Sequence, residues 1–201
     1  VIVTPVLDHG LEFFTNVPGY VRSAGVHMSD LYGAYYRELD PKRYDKDPET
    51  SNPLVPELGT AWEALLKIRL KKAFPQWDME PGEFVEPQYG IAYSPDVTIY
   101  NGSTKLGEIK LTFMSCREWP KERTNQFPPA ADKYLSQMKL YCYCLGVNEA
   151  VLMALFVNGA GSFKDRLGPE FRMWNIEFTA RELREEWETM TGFAKARRLI
   201  V

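Results

Sequence analysis

The chain is short of several things, and each shortage excludes something. Among its 201 residues there are only two histidines, His9 and His27, and three cysteines. An odd cysteine count without framework spacing argues against a disulfide scaffold and for a reducing compartment. Cys142 and Cys144, two apart on what reads as a helix, would point about 200° away from each other. They cannot grip one metal, and with so few histidines no zinc is expected. No apolar run approaches the roughly 18 residues that span a bilayer, so no membrane association is expected. The opening VIVTPVLDHG has neither the basic start nor the long apolar stretch of an export signal, and a cytoplasmic location is the expectation. Basic charge is not in excess either. A net charge of −3 does not mark a general nucleic-acid binder, although an enzyme that touches DNA along one groove can be acidic overall. What is present, 45% hydrophobic and 25% charged residues, is the composition of a globular protein, read here as a single domain over residues 1–201.

The most informative stretch is IAYSPDVTIYNGSTKLGEIKLTF, from Ile91 to Phe113. Two runs rich in β-branched and aromatic residues, Ile91–Tyr100 and Thr104–Phe113, flank an Asn-Gly, a strong hairpin signal. Glu108 and Lys110 are two apart, hence on one face of the second strand. The register decides whether Asp96 joins them. A two-residue loop sets Asp96 opposite Gly107 and sends Glu108 to the other side. A three-residue loop, Asn101-Gly102-Ser103, sets Asp96 opposite Glu108, and this register is the expectation. Two carboxylates and a lysine then converge, and a divalent cation is the obvious relief for the paired negative charge.

Along the rest of the chain, residues to about Gly25 read as irregular. A short Tyr-rich helix is expected from His27 to Leu39, with Ser29 as its N-cap. Asp40–Pro53 reads as an exposed loop. A longer helix, Pro56–Phe74, shows an inward stripe of Leu58, Ala61, Trp62, Leu65 and Ile68. Glu63 lies on the adjacent row with Gly59, Leu66 and Leu70, either as a boundary residue reaching solvent or as a third acid aimed at the hairpin pair. The outer face carries Lys67, Arg69, Lys71 and Lys72, which either follow a phosphate backbone or are simply solvated. Glu83–Tyr89 reads as a strand. In Met114–Pro129, basic residues Arg117, Lys121 and Arg123 alternate with Trp119 and Phe127, a mixture suited to a single-stranded or frayed nucleic-acid end. A helix over Ala130–Leu145, closed by Gly146, places Gln137 and Tyr141 one turn apart, and a buried Gln needs a partner. Ala150–Val157 reads as a strand buried on both sides, Asn158–Pro169 as a loop, and Phe171–Phe178 as a further strand. Thr179-x-x-Glu182 opens a last helix with Leu183, Trp187, Met190 and Ala194 facing inward. The basic tail of that helix, Lys195 to Arg198, complements its dipole.

Helix, strands with a charged hairpin, helix, strand: this order and its residues resemble the PD-(D/E)XK nuclease superfamily, in its RecB-like and lambda-exonuclease-like branches. Pro95-Asp96 resembles the PD element, Glu108-Ile109-Lys110 the ExK element, and Gln137-x-x-x-Tyr141 the Q-x-x-x-Y element of those branches. Leu58-Gly59-Thr60-Ala61-Trp62-Glu63 is similar to their first motif, and Ser29-Asp30-Leu31 to their Ser-x-Leu opening. The resemblance covers about residues 29–157. It implies an α/β fold with an αβββαβ restriction-endonuclease-like core, a mixed sheet flanked by helices, followed here by an extra strand and helix over 171–199. It further implies Mg²⁺- or Mn²⁺-dependent hydrolysis of DNA phosphodiester bonds, most simply as an exonuclease at ends. Asp96, Glu108 and the Ile109 carbonyl would hold the cation, with Glu63 completing it or supporting a second ion. Lys110 would orient water, and Gln137 and Tyr141 would position the phosphate, with Ser29, Arg117, Lys121 and Arg123 as further substrate contacts. Iron–sulfur members carry four cysteines that this chain lacks, so no cluster is expected. The implied partners are a duplex end or single strand of DNA, a helicase or recombination protein, and further copies of the chain, in a bacterial, archaeal or phage-infected cell. The rival reading is a catalytically silent nuclease fold used for DNA binding or assembly.

Overall fold

The computed structural model describes residues 23–44, 54–78, 82–100, 102–121, 126–159 and 168–200. The expected irregular start, most of the Asp40–Pro53 loop, and Arg123 lie outside these residues. Among the described residues no helix is long and apolar enough to cross a membrane.

The elements are α1 (Met28–Leu39), α2 (Pro41–Tyr44), α3 (Leu54–Ala73), β1 (Trp77–Asp78), β2 (Phe84–Val85), β3 (Ala92–Tyr93), β4 (Val97–Tyr100) and β5 (Thr104–Thr112). A 3₁₀ turn, Pro129–Ala131, leads into α4 (Asp132–Leu145), followed by β6 (Glu149–Phe156), β7 (Glu170–Glu177) and α5 (Ala180–Ala196). The five-stranded sheet runs β1-β4-β5-β6-β7, and β2 and β3 form a separate pair. An isolated parallel bridge joins His27 and Ala92. Among the described residues β5 and β6 pair in parallel and the other strand pairs are antiparallel. The α4 crossover makes that parallel pairing possible, because parallel neighbours need a connection long enough to return over the sheet.

Two cores result. On one face α1, α4 and α5 bury a large aromatic-rich cluster that includes Met28, Leu106, Met138, Leu152, Phe156 and Met190. On the other, α3 covers Val97, Ile99, Ile109, Val151 and Met153 with Leu66 and Leu70, and Trp62 and Trp77 pack against the cluster. Alternation along β5 sorts its side chains between the two faces, Leu106 to the first and Ile109 to the second. The buried β6 and the α5 capping box form as expected, with Thr179 Oγ1 accepting from the Glu182 backbone and Glu182 accepting from the Thr179 backbone. Gly146 closes α4 in the left-handed region, at φ 68°.

Several expectations need correction. The stripe assigned inward on α3 faces out: Leu58, Leu65 and Ile68 are 49%, 47% and 67% exposed, and the row that carries Glu63 is the one that packs on the sheet. Ser29 is not a cap; His27 holds the N-cap position and Ser29 sits in the first turn of α1. The strand expected over Glu83–Tyr89 is only Phe84–Val85. It gives way to a turn in which buried Glu86 accepts from the backbone N–H groups of Gln88 and Tyr89, both at 2.8 Å. Ile91–Tyr100 is not one strand: it breaks at Ser94-Pro95, since proline has no N–H to give a ladder. The basic tail of α5 does more than answer a dipole, because Arg197 pairs with Glu38 of α1 at 2.5 Å.

Candidate active site

The hairpin register is the expected one. Tyr100 pairs with Thr104 and Val97 with Gly107, so three residues form the loop and the same register carries Asp96 to the level of Glu108. Gly107 makes the close approach possible: a Cβ there would meet Val97 Cβ at 2.8 Å. Asp96 is then pinned by the main chain of β5, its Oδ2 accepting from the Ile109 N–H at 2.7 Å. Being just outside β4, after the Ser94-Pro95 break, frees its carboxylate to reach across rather than stand on a pleat.

Glu108 is completely buried. Its Oε1 receives both the Lys110 ammonium and, at 2.6 Å, the side-chain amide of Gln137 from α4. Its Oε2 is buried with no hydrogen-bond partner. Burial, then the neighbouring Asp96, pushes the Glu108 carboxyl up to about 8. Asp96 is raised as well, first by burial and then by Glu63, against the pull of Lys110. Burial alone would lower Lys110, but Glu108 and Asp96 outweigh it and hold the ammonium above its ordinary value. The lysine therefore stays charged, with its Nζ 5.6 Å from the ring centroid of Tyr134.

Around this group the other expected residues divide. Gln137 is brought directly onto Glu108, and Tyr141, buried one turn later on α4, is raised by burial and by the Glu108 charge. Glu63 lies close enough for its charge to raise both Asp96 and Glu108, yet its own Oε1 pairs with Lys67 at 2.5 Å. Lys67 is thus a partner of the acid rather than a free phosphate contact. Ser29 stands one turn before Tyr32 on α1. Lys121 is not gathered with the acids: it lines a groove with Trp174, Arg172 and Glu177 along β7. Arg117 is exposed in a turn beyond β5. The aromatics expected to stack on bases point inward instead. Trp119 is 2% exposed and packs on Phe127, Phe156 and Trp174, while Arg172 clamps the loop through the carbonyls of Cys116 and Trp119 at 3.0 and 2.8 Å.

One residue at the site went unremarked in the sequence. Tyr32 is almost fully buried, pushed up to about 12 by burial, and feels Lys110, Glu108 and Asp96 together. Its signal was its place one turn after Ser29, which periodicity alone assigns to the core.

The donor set suits a hard divalent cation. An orphaned, buried carboxylate oxygen beside a second carboxylate is costly unless something positive completes it. Among the described residues, however, no three His, Cys, Asp or Glu side chains gather closely enough to hold a metal ion. A cation here would draw on Asp96 and Glu108 and take its remaining oxygens from main chain, water and substrate, with Glu63 as an outer acid.

Comparison with solved structures places the fold. The chain is similar to an alkaline exonuclease (LHK-Exo) from Laribacter hongkongensis, with a TM-score of 0.52 and 18% identity over 86% of this chain and 87% of that one. It is also similar to LHK-Exo in complex with dAMP, at TM-score 0.49 and 22% identity, covering 86% and 89% of the two chains. A phage-related exonuclease from Haemophilus somnus 129PT aligns at TM-score 0.49 and 10% identity over 83% and 78%. No protein-family model matches the chain, and no curated protein matches it. The first of these likenesses shows a shared fold, so the mixed sheet flanked by helices expected from the motifs is the architecture of this chain.

Proposed function

We propose that this chain is a divalent-cation-dependent nuclease that hydrolyses DNA phosphodiester bonds, acting from ends. The observation that carries the reading is Glu108: a fully buried glutamate with one oxygen satisfied by Lys110 and Gln137 and the other left unpartnered beside Asp96. A silent scaffold gains nothing from that arrangement, since an unpaired buried carboxylate oxygen costs about 1–3 kcal/mol or more. The shared fold with an alkaline exonuclease supports the same reading.

Asp96 and Glu108, with the Ile109 carbonyl, would hold Mg²⁺ or Mn²⁺. Such a cation, when bound, polarises a phosphoryl oxygen and lowers the pKa of coordinated water. The remaining work belongs to the chain. Lys110, kept protonated by the two acids, directs positive charge at the position where negative charge grows on the phosphoryl oxygens, and orients the attacking water. Gln137 fixes the rotamer of Glu108, and the Ile109 N–H fixes that of Asp96, so neither carboxylate must reorganise during the reaction. Tyr141 and Tyr32, both protonated at neutral pH, offer hydroxyl donors and exclude water from the acids. Ser29 and Arg117 are outer substrate contacts in this reading, Arg123, outside the described residues, is a further proposed contact by its charge, and Lys121 reaches DNA only if the strand extends to the β7 groove. Unwinding, where required, falls to a helicase or recombination partner.

The test is digestion of linear, nicked and closed circular DNA in Mg²⁺, Mn²⁺ or EDTA. Loss of linear substrate alone, abolished by EDTA, is the expected result. Cleavage that survives EDTA overturns the reading, and so does a protein that binds DNA but cuts none of the three.

A further inference from the structure

The mixture of cations and aromatic rings expected between Met114 and Pro129 is assembled elsewhere, on α1, α2 and α4. Lys133, Gln137 and Tyr141 fall at successive spacings of four on α4, hence along one face of it. That face leads to the acids. Gln137 reaches Glu108 at 2.6 Å. One turn before it, about 5.4 Å along the axis, Lys133 sets its Nζ 5.6 Å from the ring centroid of Tyr32. Tyr32 is the side chain on which Lys110, Glu108 and Asp96 all act, so one aromatic residue adjoins both Lys133 and the catalytic group. The same ammonium lies 5.7 Å from the ring centroid of Tyr44, and the Arg43 guanidinium lies 5.3 Å from that centroid. Exposure rises in the same order. Tyr32 is buried, Lys133 and Tyr44 are partly exposed, and Arg43 is exposed. Cation and ring therefore alternate from the acids to the surface: Lys110, Tyr32, Lys133, Tyr44, Arg43.

Such a row matches the chemistry of a nucleic-acid strand, in which cations answer phosphates and rings answer bases. Here the ring faces are taken up by cations, so phosphate is the part of the strand the row serves. Neutral rings fix where an ammonium stands without cancelling its charge, as a carboxylate would. Lys133 is not there chiefly for the catalytic acids. The side-chain charges that act most strongly on Asp96 are Lys110, Glu63 and Lys67, and on Glu108 they are Asp96, Lys110 and Glu63. Lys110 is itself committed to Glu108, so a further phosphate needs a further cation. Two carboxylates border the outer end: the charges of Asp40 and Asp132 reach Tyr44, and Asp40 accepts from the Arg43 backbone N–H at 3.2 Å. We propose that Lys133 is a phosphate ligand of the substrate: seated against the rings of Tyr32 and Tyr44, it takes the phosphate that flanks the scissile one, and the strand runs from the acids past α4 toward Arg43. The identity of the strand rests on the nuclease reading above.

Fluorescence anisotropy of the full chain on a labelled single-stranded oligonucleotide, with Ca²⁺ in place of Mg²⁺ and a parallel cleavage assay in Mg²⁺, tests this. Lys133→Met is expected to weaken binding about tenfold, as loss of a charge-assisted contact does, and to reduce the slope of log affinity against log salt by about 1. Lys133→Arg keeps the wild-type slope. A strand with a neutral methylphosphonate at the linkage next to the terminal one separates contact from packing. It should bind the wild type about tenfold more weakly than the ordinary strand, and Lys133→Met no more weakly. A wild type that cuts DNA, with a Lys133→Met variant equal to it in affinity and salt slope, overturns the proposal and leaves the nuclease reading standing. So does a methylphosphonate penalty that is the same in both proteins. A wild type that binds DNA and cuts none, with the slope still lost in Lys133→Met, removes the nuclease reading and keeps the phosphate contact. A chain that binds no DNA overturns both.

Discussion

Two glutamates lie buried at opposite ends of the same stretch of chain, and they have opposite characters. Glu86 spends both carboxylate oxygens on the backbone, accepting from Gln88 and Tyr89 to tie off the turn before β3. Glu108 spends one oxygen on Lys110 and Gln137 and leaves the other unpaired in a site with a second acid. Burial by itself therefore says nothing about function. What separates a glutamate that holds a turn from one poised for chemistry is whether its hydrogen-bonding capacity is exhausted within the protein.

The comparison breaks or sharpens under substitution. Asp96→Asn, Glu108→Gln and Lys110→Met should each reduce cation-dependent cleavage by on the order of a thousandfold or more while circular dichroism stays native; a variant that keeps most of its activity would remove Glu108 from its special class. Gln137→Ala, which frees the rotamer of Glu108 without touching its charge, should cost about a hundredfold in kcat, measured on a linear duplex under saturating Mg²⁺. Glu86→Ala should do the reverse. It removes two charge-assisted backbone hydrogen bonds, lowering stability by about 1.5–3 kcal/mol in urea titration while leaving cleavage by the folded fraction intact.

A pH series separates the pair by linkage. Glu108 keeps its proton in the folded state up to about 8, against an ordinary value of 4.5, so across that window the unfolded chain binds fewer protons than the native one. Stability of the cation-free protein must then fall as pH rises from about 4.5 to about 8, and Asp96, also raised, acts in the same direction. The melting temperature should drop by several degrees over this range and be recovered by Mg²⁺ at the alkaline end. Glu108→Gln should flatten the slope and abolish the Mg²⁺ response, whereas Glu86→Gln should keep both. Smallest of all is the effect expected for Lys121→Ala: in the β7 groove, away from the acids, it should change cleavage of short oligonucleotides by less than about twofold, since surface substitutions away from such features cost little.

Much of this is legible in the sequence. The Asn-Gly signal with its flanking β-rich runs placed the hairpin. Capping residues bounded α4 and α5, and continuous hydrophobicity placed β6, because these features rest on local chemistry and on a single periodicity. The misreadings share a cause. On α3, Leu58, Leu65 and Ile68 are as apolar as Leu66 and Leu70, and no periodicity says which of two apolar rows meets the sheet. In the segment after β5, Trp119 looks like a stacking platform until Phe156, Trp174 and the Arg172 clamp surround it. Tyr32, by its helical spacing, is indistinguishable from core until the fold brings it within the field of Lys110, Glu108 and Asp96.

The sequence by itself determined the hairpin, because turn chemistry and flanking β-rich runs are local; it left two registers open, and the pairing of Tyr100 with Thr104 decided for the three-residue loop and hence for the approach of Asp96 to Glu108. The sequence also determined that Lys110 shares the face of Glu108. Only the tertiary structure decided that Glu108 is sealed from water with one oxygen unanswered, that Gln137 joins Lys110 on the other, and that Glu63 stands behind the pair with Lys67. Those facts depend on how α1, α3 and α4 are set against the sheet. Packing of that kind is a sum over many weak contacts distant in the chain, and no local pattern encodes it.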